Sequence, residues 1–210
     1  MCSIIGSFSK TKFKELVSLN QNRGSFSYSF LVLDPSTLKI VSLIQDFGEF
    51  PLDIIDMAQS KMYMIGHTQA PTGGLVEDPN IIHPAQVDHK FLFHNGIIKH
   101  KDVRRLKDEL KTYEFWDSKL MLMDIIKNGM IPSFYTIDGS FACVYKDNNS
   151  IKLFRSAAGT LFVDNKLNIS STKFSNVPRI DKDTIFDIDF SNKSISKINS
   201  FTSKSNPYFY

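Results

Sequence analysis

Antiparallel β-sheets layered with helices, an α+β architecture, is the fold class this sequence predicts. Three observations lead there. Short apolar runs with strand character stand at both ends of the chain, and helical periodicity is confined to Ser9–Gln21 and to 102–128. From Ser140 onward the pattern is a succession of hairpins, Phe141–Lys146, Ile151–Arg155, Leu161–Val163, Leu167–Ser170, Ile185–Phe190 and Ser194–Ile198. Strands, then helices, then strands do not make the alternating βαβ pattern of a parallel sheet.

Each element has its own local cause. Ser9–Gln21 places Phe13, Leu16, Val17 and Asn20 on one helical face, with Gly24 just beyond. Phe26–Leu33 and Lys39–Gln45 read as strands turned by Asp34-Pro35-Ser36. Pro51 opens a short helix through Ile54, Ile55 and Ala58, and Lys61–Ile65 is a buried strand ending at Gly66. Thr68–Gln86, with Pro71, Gly73, Gly74, Pro79 and Pro84, reads as a long irregular loop, and such loops in small domains are usually functional or disordered. Phe91–Phe93 is a strand that runs into His94-Asn95-Gly96. Helices then follow at Asp102–Lys111 and Asp117–Asn128, the second stopped by Gly129.

At 210 residues the chain suits one domain over 1–210, with 202–210 as a C-terminal tail. Its 42% hydrophobic and 22% charged residues are ordinary for a soluble globular protein. No apolar run reaches the length of a membrane span, and no signal segment is present, so a cytoplasmic protein without a membrane partner is expected. The net charge of +3 is too mild to imply nucleic acid. Cys2 and Cys143 are expected as free thiols, and the five histidines show no metal-ligand spacing, so neither metal nor cofactor is expected.

Cys2 carries the chemistry. A small residue at position 2 permits removal of Met1, which would place a thiol and a free α-amine on one residue. A thiol needs a base to become a nucleophile. An α-amine, with an ordinary pKa of about 7.7–8.0, can take that proton at neutral pH. That is the logic of a hydrolase with an N-terminal nucleophile. A lone cysteine after methionine establishes little, and the other parts must come from the rest of the chain.

Several fragments, read in order, resemble class II glutamine amidotransferases. Met1-Cys2-Ser3-Ile4-Ile5-Gly6 is similar to that family's C-G-I-x-G start, Arg23-Gly24-Ser25-Phe26-Ser27 to R-G-x-D-S, and Gly66-His67-Thr68-Gln69-Ala70-Pro71-Thr72 to G-H-T-R-x-A-T. His94-Asn95-Gly96 matches H-N-G, and Phe115-Trp116-Asp117-Ser118 resembles the S-D-[ST]-E segment. Asp138-Gly139-Ser140-Phe141-Ala142 and Arg155-Ser156-Ala157-Ala158-Gly159 resemble two closing strands. The resemblance covers essentially the whole chain.

It implies a four-layer αββα sandwich of two antiparallel sheets, of the N-terminal-nucleophile hydrolase type. It also implies hydrolysis of the glutamine side-chain amide through a thioester on Cys2. Asn95 and the Gly96 N–H would form the oxyanion hole. Asp117 would bind the substrate's ammonium, and Thr72 and Gly73 would contact glutamine. Arg23 would support the nucleophile and the substrate region, and Gln69 would stand at the substrate's carboxylate. Since the resemblance runs to about Phe201, a separate synthase subunit would receive the ammonia. Two residues have plainer readings as well: Asn95-Gly96 fits a type I′ turn, and Asp117 fits a helix N-cap. His67 and Cys143 read as core, and His83 as a loop residue over the pocket.

The match fails where the family's arginine would pair with the α-carboxylate of glutamine, because Gln69 stands there. Phe26, Ser29, Lys119 and Ser156 also depart from the pattern. Three readings follow: a glutaminase that takes the carboxylate by another route, such as Lys119 or a backbone nest; an amidase for a substrate without that carboxylate; or a non-catalytic subunit of the same fold.

Overall fold

In the computed structural model, residues 2–70 and 78–204 are described. The first helix, α1 (Lys10–Asn20), shows how the sequence builds an element. Ser9 caps it by accepting a hydrogen bond from the Lys12 N–H at 3.2 Å, and Phe13, Leu16, Val17 and Asn20 turn inward. A helix this short is marginal alone. Its three buried apolar side chains contribute about 1.5–3 kcal/mol each, against about 1 kcal/mol for the cap. Packing therefore decides that it forms.

Among the described residues, twelve strands make two six-stranded sheets, and every pairing within them is antiparallel. They are β1 (Ser3–Ser7), β2 (Ser27–Leu33), β3 (Ile40–Phe47), β4 (Tyr63–Gln69), β5 (Ala85–Val87), β6 (Lys90–Ile98), β7 (Gly139–Lys146), β8 (Ile151–Arg155), β9 (Phe162–Val163), β10 (Ile169–Ser170), β11 (Thr184–Asp189) and β12 (Ser194–Ser200). One sheet runs β3-β2-β4-β1-β10-β9 and the other β12-β11-β8-β7-β6-β5. The remaining helices are α2 (His100–Leu110), α3 (Asp117–Asn128) and α4 (Met130–Thr136).

Alternation along the strands produces the layers. Ile4, Ile65, Phe93, Ala142 and Val144 fill the space between the sheets. Ile5, Phe30 and Met64 point the other way, onto α1. Leu92, Phe141, Cys143 and Phe154 point outward from the second sheet onto α2, α3 and α4. Helix, sheet, sheet, helix is the predicted αββα sandwich. No helix among the described residues is long and apolar enough to cross a membrane.

Four local expectations are corrected. β4 does not stop at Gly66: neighbours on both sides pair with it onward, Ser3 with Thr68 and Ser27 with Gln69. β6 runs straight through His94-Asn95-Gly96, because Asn95 pairs with Ala142 and Gly96 with Phe141, so no type I′ turn exists there. Asp53–Met57 is a 3-10 helix. Gly129 ends α3 and also opens α4, with φ of 87° that suits glycine. Ser203 is buried and accepts a hydrogen bond from the Ala157 N–H, so the described part of the segment after Phe201 lies against the fold.

Candidate active site

Cys2 stands at the head of β1, an inner strand bonded to β4 and β10. Its thiol is half-buried, with Sγ 3.5 Å from the Ala70 carbonyl oxygen. Burial pushes the thiol above its ordinary range, the negative charge of Asp117 adds to that, and the Arg23 cation opposes it. The group is therefore a thiol at neutral pH and needs a base to act.

Arg23 supports it from behind. Its Nε donates to the Cys2 carbonyl at 3.0 Å. Gly24 makes this possible: a Cβ there would come within 2.6 Å of the Ala70 N and 2.7 Å of the Gln69 carbonyl oxygen, so only glycine lets this turn nest on the end of β4. Phe26 packs edge-on against Phe47.

Asn95 approaches from the other sheet. It pairs with Ala142, an inward-facing position, and β1 and β6 face one another across the sandwich. Alternation with inward-facing Phe93 aims Asn95 into the layer that holds the Cys2 end of β1. It is 8% exposed, and its side-chain amide has no hydrogen-bond partner among the described residues. Gly96 follows because a Cβ there would overlap the Ser140 carbonyl oxygen of β7.

Asp117 opens α3 from inside its first turn, since the N-cap is Trp116 and makes no side-chain cap. The N-cap reading of Asp117 is thereby corrected. Oδ1 accepts from the Ser118 N–H at 2.7 Å and the Ser118 hydroxyl at 3.2 Å, and Oδ2 accepts from the Ile98 N–H at 3.1 Å. A carboxylate offers about four acceptor positions, so one on Oδ2 is open to a further donor.

Gln69 is buried, and its Oε1 accepts from the Ser27 hydroxyl at 3.0 Å. Its amide nitrogen is a neutral donor, weaker than a charged one. Lys119, the alternative cation, lies 3.3 Å from Glu114. Thr72 and Gly73 lie outside the described residues.

Sequence reasoning missed a buried histidine group beside this site. The His67 and His83 rings lie 4.0 Å apart, and His83 lies 4.8 Å from the Trp116 ring. His67 Nε2 is 3.2 Å from the His94 carbonyl oxygen, and His94 Nδ1 is 2.9 Å from Ser118 Oγ. Burial pushes all three below the ordinary histidine range, His67 to about 3, so the rings are neutral at pH 7. His83 is buried in the irregular segment that leads into β5. No group of three or more metal-ligating side chains among the described residues could hold a metal ion. The residues are distant in sequence, so only a contact map could have joined them.

No protein-family model matches the sequence, and no curated protein matches it. Solved structures do. The chain is similar to a glutamine phosphoribosylpyrophosphate amidotransferase from B. subtilis complexed with ADP and GMP, at a TM-score of 0.66 and 13% identity, over 94% of this chain and 49% of that one. A structure described as the allosteric regulatory enzyme of purine biosynthesis aligns at a TM-score of 0.65 and 13% identity, over 94% of this chain and 48% of that one. The chain thus spans about half the length of these structures. With Cys2 heading an inner strand of a two-sheet sandwich, the chain shares the αββα fold of these structures.

Proposed function

We propose that the protein is a glutaminase of the class II amidotransferase kind, with Cys2 as nucleophile. The observation that carries this is the facing pair: a half-buried thiol on one sheet and, on the other, a buried asparagine amide with no partner among the described residues. No histidine or carboxylate is hydrogen-bonded to the thiol among the described residues, which leaves the α-amine of Cys2 as the base once Met1 is removed.

In the proposed cycle, the Cys2 sulfur adds to the amide carbon of the glutamine side chain and its proton passes to the α-amine. The carbonyl oxygen becomes an oxyanion, held by Asn95 Nδ2 and the Gly96 N–H. The ammonium returns its proton to the departing nitrogen, the C–N bond breaks, and ammonia leaves a γ-glutamyl thioester. Water then adds, giving up a proton to the same amine, which returns it to the sulfur as the C–S bond breaks and glutamate is released. Arg23 braces the Cys2 main chain, Asp117 takes the substrate ammonium, and Thr72 and Gly73 contact the substrate. The ammonia passes to a synthase that aminates an acceptor.

A diazoketone analogue of glutamine tests the assignment. Intact and peptide mass spectrometry should find one adduct, on residue 2, in protein that has lost Met1. An adduct on Cys143, or labelled and active protein that retains Met1, would remove Cys2 and its amine from the mechanism.

Gln69 favours one alternative, an amide substrate without a free carboxylate. Hydrogen bonds to charged groups are worth about 1.5–3 kcal/mol, and charge-assisted pairs are about twice as strong as neutral ones. Glutamine and its α-carboxamide should therefore differ in kcat/KM by no more than about tenfold. A preference for glutamine well above that would mean that an undetected cation meets the carboxylate.

A further inference from the structure

Asp117 has one acceptor position left for an ammonium, and the structure shows how that position is kept free and aimed. Its Oδ1 is occupied twice, by the N–H and by the hydroxyl of Ser118. The serine hydroxyl has one proton. A carboxylate only accepts, so the proton points to Asp117, and Ser118 Oγ must itself accept from a neighbour. That neighbour is His94 Nδ1, 2.9 Å away. Donation from Nδ1 satisfies that contact, and the Nε2 side of the ring lies near the Ser140 carbonyl of β7. Ser118 is 1% exposed and His94 2% exposed, so water does not compete for either contact.

The chain of bonds spans two layers. His94 sits on β6 one residue before Asn95 and points outward, opposite Cys143, toward α3. Ser118 lies in the first turn of α3. Asp117 Oδ2 returns to β6 through the Ile98 N–H. The strand that carries the oxyanion donors and the helix that carries the ammonium acceptor are thereby locked at two points, one on each side of Asn95-Gly96.

We infer that His94 and Ser118 are positioning residues that orient the Asp117 carboxylate toward the substrate ammonium, and so set the preference for amides bearing an α-amino group. This rests on the glutaminase reading above.

The test compares two amides: glutamine, and glutaramate, which is glutamine without its amino group. In the Ser118→Ala protein the ratio of kcat/KM for glutamine to that for glutaramate should fall about tenfold, carried by KM for glutamine, the scale of losing one hydrogen bond to a charged group. Ser118→Thr, which keeps the hydroxyl, should restore the ratio, and so should His94→Asn relative to His94→Gln, because asparagine places an N–H where Nδ1 stood. In an Asp117→Asn background, Ser118→Ala should produce no further fall. Thermal melts identify any variant that does not fold, and the threonine and asparagine variants then carry the result. A parallel loss on both amides would mean that the residues only support the fold and would overturn the inference while leaving the glutaminase reading intact. Wild-type protein inert toward both amides would overturn the two together.

Discussion

Asn95→Ala lowers kcat for glutamine hydrolysis by about 10²–10³, the cost of removing one oxyanion donor, while the melting temperature moves only a few degrees. The two halves of this expectation come from one observation. The Asn95 amide has no hydrogen-bond partner among the described residues, so truncation breaks no internal bond. Substitutions that remove no buried bond or large apolar volume cost about 1 kcal/mol, or roughly 2–4 °C in a protein of this size. The amide is nonetheless held on a paired strand, where backbone bonds to β7 fix its direction. A donor placed this way needs no reorganisation when the oxyanion forms. Steady-state kinetics beside a thermal melt will check it. Strong destabilisation with unchanged kcat in the surviving folded protein would make Asn95 a structural residue.

The second large effect is on stability. Acidification from pH 7 to pH 4.5 should cost several kcal/mol. Burial lowers the pKa of His67, His83 and His94 in the folded state, while the unfolded chain returns them to about 6.5. Between those values the unfolded state binds more protons, so stability is complete above about pH 6.5 and drains away as pH falls toward the folded values. For His67, with a folded value of about 3, the loss at pH 4.5 is about 3 kcal/mol, two pH units below the unfolded value. His83 and His94 act in the same direction, although Asp117 partly offsets the effect at His94. Typical domains hold only about 5–15 kcal/mol in total. Denaturant midpoints measured from pH 7 to 4.5 should fall steeply, and His67→Gln should flatten the slope. Equal midpoints at the two ends would show that the rings reach water more easily than their burial indicates.

Elements with local causes were legible in the sequence. Phe13, Leu16 and Val17 repeat at helical spacing, Asp34-Pro35-Ser36 turns β2 into β3, and Asp117–Asn128 begins and ends where the residues say. What failed was set by neighbours distant in the chain. Polar His94, Asn95 and Gly96 interrupt an apolar run, yet the ladder with β7 carries β6 through them. α4 escaped because Gly129 reads as a stop and not also as a start. At the site, Cys2, Arg23, Asn95 and Asp117 were visible only as members of motifs, whereas Ser27 beneath Gln69 and the histidine group beneath Asp117 exist only through pairing across sheets and layers.

The inner position of β1 has a consequence for synthesis. Of the described strands, the one that Cys2 heads is made first, yet one of its flanking partners, β10, comes from Ile169–Ser170, more than 160 residues later. Ser171 completes the clamp, its hydroxyl accepting from the Ile4 N–H at 2.9 Å. A ribosome must therefore finish most of the polypeptide before the nucleophile's strand is held on both sides. Until then its open edge is exposed, as unpaired strand edges are in slow-forming β structures. A nascent chain would carry a tethered but unframed thiol, and the proposed site would form late, together with the closing hairpin.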